Sequence, residues 1–231
     1  MRMKKFARFA TGWALVSVVA ESTGAAVALV AAAVSWAGVI PLVVLEACLL
    51  GFGQQWLLRR RSAGLESGWL KATVLGALLG RCLQFSADSG IGASLVSGWP
   101  IAVQIGLGAV LGALVGALMA APQAVLLSRR VPRAWAWIGV RAIAWSIALP
   151  ALMLAGAWLA SISGNGLGAL VCALLVTFAL IGAFVGSLEG VALAALLRNA
   201  ADSYGRLDST ADRLSRGAPL LTGSTMRAQG K

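Results

Sequence analysis

Long apolar runs alternate with short polar breaks along the chain. Apolar residues dominate from about Gly12 to Val34, Val39 to Leu58, Trp69 to Phe85, Ile101 to Leu127, Ala134 to Ala160 and Leu167 to Leu197. Crossing a hydrocarbon core of about 30 Å takes about 20 mostly apolar residues, so the pattern predicts an all-α polytopic membrane protein with six transmembrane helices. Pro150 falls inside the fifth run, where a kink is expected. From Arg198 the chain turns polar; Tyr204, Leu207, Ala211 and Leu214 suggest an amphipathic turn or two, and 217–231 reads as disordered. The expected organisation is a basic head over 1–11, a six-helix transmembrane domain over 12–197 and a polar tail over 198–231.

Charge adds orientation to this pattern. The basic residues cluster in the head, after the second run at Arg59-Arg60-Arg61, after the fourth at Arg129-Arg130, and in the tail, while the three opposite loops carry no Lys or Arg. That bias places both termini on the cytoplasmic side of the membrane, in agreement with an even number of spans. The net charge of +11 is therefore a topology signal that favours anionic lipid on the cytoplasmic face, and nucleic acid is not expected as a partner. Composition agrees: 59% of residues are hydrophobic, only 12% are charged, and the mean hydropathy is +0.86. A basic head before an apolar run also describes a signal peptide, with small residues at Ala31 to Ala33; Glu21 and the length of the run favour a retained span.

The runs repeat. Trp13, Trp69 and Trp137 each open an odd-numbered run after a small residue, and small residues follow at the same spacing: Ala20 and Gly24, Gly76 and Gly80, Ala144 and Ala148. Gln55 precedes Trp69 by the interval that separates Gln123 from Trp137. The economical reading is three tandem hairpins inserted in parallel. Gly108, Gly112 and Gly116, and again Gly182, Gly186 and Gly190, strip side chains from one face of a helix, so that another backbone can approach closely. That backbone belongs either to the same molecule, the expected case, or to another subunit. The pattern Gly53-x-Gln55-Trp56-Leu57-Leu58-Arg59, with Trp69 following, resembles small uncharacterised multi-pass membrane proteins of bacteria. Ala124 and Pro122 depart from it in the fourth run, and the resemblance implies a membrane setting without an activity.

Five ionisable residues lie within the runs: Glu21, Glu46, Arg81, Arg141 and Glu189. Such groups are costly in hydrocarbon and normally face the bundle interior with partners. At about 1.5 Å per residue, Glu21, Glu46 and Arg81 all fall about 20 Å from the basic side, and Arg141 and Glu189 about 12 to 14 Å. Arg81 is thus expected to meet Glu46, and Arg141 to meet Glu189. Glu21 then competes with Glu46 for one guanidinium, the arrangement of a proton-coupling site. Gln55 and Gln123 are expected to cap helix ends or bond across helices. Trp56, Trp69, Trp135 and Trp137 suit one interfacial aromatic belt, and Trp36, Trp99 and Trp158 the other.

The chain has no His, which removes His-ligated metals, haem and Ser-His or Cys-His catalysis. Cys48, Cys82 and Cys172 are single and lie inside apolar runs, as small packing residues do. No catalytic constellation, cofactor or metal is expected. The leading expectation is a non-catalytic accessory or scaffold subunit, packing through its small-residue faces against other membrane subunits or copies of itself. The competing class is a small secondary transporter or channel built on the Glu21, Glu46 and Arg81 site.

Overall fold

Helices account for nearly all the described residues of this computed structural model, which are 2–31, 36–60, 68–88, 98–162 and 167–217. They are α1 (Arg2–Ala31), α2 (Trp36–Arg59), α3 (Trp69–Asp88), α4 (Ile101–Ser128), α5 (Ala136–Ile162) and α6 (Leu167–Gly217). Four carry stretches long and apolar enough to cross a membrane: Ile40–Arg59, Ile101–Ser128, Ala136–Leu159 and Gly168–Asp202. α1 and α3 pack as members of the same bundle. Each helix lies against its neighbours in sequence and α6 closes on α1, so the six form a ring. The exposed basic residues Arg8, Arg59, Arg60, Arg129, Arg130, Arg133 and Arg198 mark one end, called here the basic end.

Several boundaries differ from the sequence reading. The basic head is no separate segment, because α1 is already helical at Arg2. Likewise α6 continues past Leu197 as one helix to Gly217, through the segment expected to be tail. Its apolar part is held in the ring, no Pro lies between 198 and 217, and the helix passes through Gly205 without stopping. α5 runs unbroken through Pro150, a buried residue. The loop over 89–97, most of the polar turn over 161–166, the side chains of Trp36, Tyr204, Leu207, Ala211 and Leu214, and the end beyond Gly217 lie outside the described residues.

Glycine decides which helices touch most closely. A Cβ on Gly112 would run into the backbone oxygen of Trp145, and one on Gly116 into that of Arg141, so α4 and α5 meet backbone to backbone. Gly182, Gly186 and Gly190 bring α6 onto α1 in the same way, against Ser17 O, Ala14 Cα and Ala10 O. Both small-residue faces are therefore covered by the molecule's own helices. The outward faces carry large apolar side chains such as Leu15, Phe52, Val110, Ile143 and Leu180, each more than half exposed.

Packing is uneven along the ring. Buried residues crowd the half nearer the basic end, while none of 101–107 in α4 and none of the described side chains of 168–180 in α6 is buried. Among the described residues, burial is thus concentrated toward the basic end.

Candidate functional site

Three tryptophans meet at the centre of the dense half. Trp13, Trp69 and Trp137 come from α1, α3 and α5, and all are fully buried. Their ring centroids stand 5.9, 6.2 and 6.5 Å apart in edge-on and tilted contacts, the geometry that aromatic quadrupoles favour. Trp69 and Trp137 are thus core residues and not members of an aromatic belt. Trp56 and Trp135, 46% and 59% exposed, and Trp99 and Trp158 on other turns do lie outward. The distinction follows helix phase: Trp137 shares the inward face of α5 with Arg141 and Ala144, whereas Trp135 precedes the helix and points away.

Each indole N–H in this triad finds an acceptor on the even-numbered helix before it in the ring. Trp69 donates to Gln54 Oε1 at 3.0 Å, Trp137 to Gln123 Oε1 at 2.9 Å, and Trp13 to Glu189 Oε2 at 3.3 Å. Glu189 therefore stands where the other two repeats have glutamine. One turn deeper than each tryptophan lie Ser17, Thr73 and Arg141. Gln123 Nε2 donates to Thr73 Oγ1 at 2.8 Å, and Arg141 Nε donates to Glu189 Oε1 at 2.6 Å. Arg141 Nη1 also reaches Gln123 Oε1 at 3.2 Å, tying the second repeat to the third. A threefold motif of indole, amide and hydroxyl is converted to an ion pair in one of its copies.

The spacing argument had singled out Gln55 for this role, but Gln54 performs it. Gln54 is fully buried and Gln55 only half so. On α2 the inward positions are Val43, Glu46, Ala47, Leu50, Gly51, Gln54 and Leu58, a stripe of helical period that passes through Gln54. The interval counted back from Trp69 crosses a loop, and a loop does not preserve helix phase. Counting forward from Glu46 within α2 would have found Gln54.

The second charged group lies about two turns beyond Gln54 on α2 and about three turns beyond Trp69 on α3. Arg81 Nη2 bonds Glu46 Oε1 at 3.0 Å and Oε2 at 3.3 Å, and Arg81 Nη1 bonds Gln84 Oε1 at 3.0 Å. The Glu46 carboxylate lies over Gly24, within 3.2 to 3.4 Å of where a Cβ would stand. The structure so brings together Glu46 with Arg81, and Arg141 with Glu189. Glu21 is 6% exposed and sits between the two pairs, with the charges of Glu46, Arg81, Glu189 and Arg141 all acting on it. It has no hydrogen-bond or ion-pair partner among the described residues. Three buried carboxyls accompany two buried or part-buried guanidiniums.

Cysteine contributes little here. Cys82 and Cys172 are exposed and Cys48 is half-buried, so the three are not jointly packing residues. Among the described residues no group of His, Cys, Asp and Glu could hold a metal ion. The chain matches no protein-family description, no curated protein and no solved structure.

Proposed function

We propose that this chain is a six-span protein of the bacterial inner membrane, both termini cytoplasmic, working as a small proton- or cation-coupled transporter or channel. α1 and α3 complete the spans as members of three parallel-inserted hairpins, and the basic end faces the cytoplasm, in keeping with the positive-inside bias. The observation that carries the reading is Glu21, a buried residue within electrostatic reach of the Glu46–Arg81 pair whose carboxyl has no hydrogen-bond or ion-pair partner among the described residues. Buried charges in inert bundles are paired, since an unpaired one costs several kcal/mol in low dielectric. A carboxyl in excess of its guanidiniums makes a site for a proton or a small cation. It lies two turns beyond Trp13 on α1, and in this reading it is reached from the end away from the basic residues, with the tryptophan triad closing the basic side.

The accessory-subunit reading loses its main support, because the glycine faces on which it drew are occupied internally. It keeps the exposed apolar circumference and the extension of α6 beyond the apolar stretch. Reconstitution into vesicles loaded with a pH-sensitive dye separates the two. Proton or cation flux that is lost in Glu21→Gln, in a variant that still folds, supports transport. Absence of flux from the wild type, with co-migration of a defined set of partners on native gels, overturns it in favour of the subunit role.

A further inference from the structure

The motif of the dense half is complete in two repeats and incomplete in the third. In the second hairpin Gln123 Nε2 donates to Thr73 Oγ1 at 2.8 Å, and in the third Arg141 donates to Glu189 at 2.6 Å. In the first hairpin the corresponding residues are Gln54 and Ser17. Gln54 is fully buried, its Oε1 is engaged by Trp69, and its Nε2 has no partner. Ser17 is 3% exposed and its hydroxyl is without a hydrogen bond among the described residues. One turn further along α1 stands Glu21, also partnerless.

These three groups form a column. Ser17 and Glu21 are four residues apart, so they share a face of α1 about 6 Å apart along the axis. That face is held against α6, since the Cβ positions of Gly182 and Gly186 abut Glu21 Cβ and the Ser17 side chain. Serine is the smallest of the three residues that occupy this place in the repeats. Where Thr73 and Arg141 bond their partners directly, no hydrogen bond joins Ser17 to Gln54 among the described residues. Gln54 Nε2, a buried donor with no acceptor, forfeits about 1 to 3 kcal/mol unless something bridges it, and Glu21 is a buried residue whose carboxyl has no donor among the described residues. The chemistry that satisfies both is a molecule that accepts from an amide N–H and donates to a carboxylate, which is water.

We propose that the first repeat holds an internal water site between Gln54 Nε2, Ser17 Oγ and the Glu21 carboxyl, which links the Glu21 site to the polar ring below the tryptophan triad. The inference rests on the transport reading for its role, since hydration lets Glu21 exchange its proton or cation, but the site stands on hydrogen-bond accounting alone. The charged groups facing Glu21 are Glu46, Arg81, Glu189 and Arg141. Two of these four, Glu189 and Arg141, belong to the polar ring beside the tryptophan triad, and the other two, Glu46 and Arg81, form the deeper ion pair.

Infrared difference spectroscopy on the purified protein tests it without reference to flux. The Glu21 carboxyl band is assigned as the one lost in Glu21→Gln, and bound water as the O–H bands displaced by oxygen-18 water. Ser17→Ala is expected to shift the Glu21 band and remove the water bands. Thr73→Val, the corresponding change in a repeat whose amide has its own partner, is expected to leave both in place. Gln54→Met reads the same bands from the other side of the site. In vesicles Ser17→Ala should lower flux about threefold to tenfold, the range spanned by one hydrogen bond. A Glu21 band indifferent to Ser17→Ala and Gln54→Met, or moved equally by Thr73→Val, overturns the water site whatever the flux. A shifted band in a protein that moves no protons or cations leaves the site standing and sinks the transport reading instead.

Discussion

Alanine placed at Gly112 tests whether α4 and α5 meet at the backbone. Two opposed terms set the outcome. Within a helix, Gly→Ala is favourable by about 0.5 to 1 kcal/mol, because glycine loses more backbone freedom on folding. At Gly112, however, the new methyl meets the backbone oxygen of Trp145, and at Gly116 that of Arg141. A carbonyl cannot rotate aside as a side chain can, so the helices must separate, at about 1 to 3 kcal/mol for overpacking. Gly139 in α5 has nothing within 4 Å of its Cβ position and supplies the control. Gly139→Ala should gain about 0.5 to 1 kcal/mol and Gly112→Ala should lose up to about 2 kcal/mol net, a separation of about 1 to 3 kcal/mol. Reversible unfolding in mixed micelles, followed by tryptophan fluorescence and circular dichroism, measures it. Equal stability of the two variants would refute the close approach. A Gly112→Ala protein of unchanged stability that fails to recover partners from membranes would return the glycine face to a subunit-binding role.

Two further changes probe the ring. Arg141→Leu leaves Glu189 buried without its cation and should destabilise by about 3 to 5 kcal/mol, whereas Arg141→Thr with Glu189→Gln rebuilds the Thr73–Gln123 arrangement and should recover most of that in the same unfolding assay. Trp13→Ala removes one side of the aromatic triangle and should cost about 3 to 5 kcal/mol, with vesicles carrying it becoming leaky to protons; a tight, stable variant would remove the triad from any sealing role.

How much of this was legible in the sequence varies by residue. Apolar length placed the helix cores to within a few residues, because about 20 apolar residues suit little else. Depth counted along helices also put Glu46 beside Arg81 and Arg141 beside Glu189, since rise per residue is constant inside a helix. What failed was whatever crossed a loop or depended on phase. Gln55 was chosen over Gln54 by an interval that included a loop, and Trp137 was put with Trp135 in a belt although the two point to different faces. That the three tryptophans converge was hidden for another reason: repeat spacing shows equivalence, not contact, and only closure of α6 on α1 turns three equivalent positions into one cluster. The helical course of α6 to Gly217 was missed because polar composition was taken as a stop signal, which it is not.

The departures from threefold repetition share a direction. Two repeats satisfy the positions that correspond to Gln54 and Ser17, one with neutral partners and one with an ion pair, and Arg141 Nη1 joins them through Gln123, although the third repeat also buries Trp145 Nε1 without a partner. Such bonded networks fix helix register. The first repeat keeps Gln54 Nε2 and Glu21 without partners among the described residues. A structure of equal repeats would need no such difference, since a threonine at position 17 and an apolar residue at 21 would complete the pattern. The incompleteness spans α1 and α2, and α1 is fixed against α6 by three glycines, so its side of the gap is held by a rigid neighbour. A device that must accept and release a small ion needs one soft position in a stiff frame, and the first hairpin is where this protein has it.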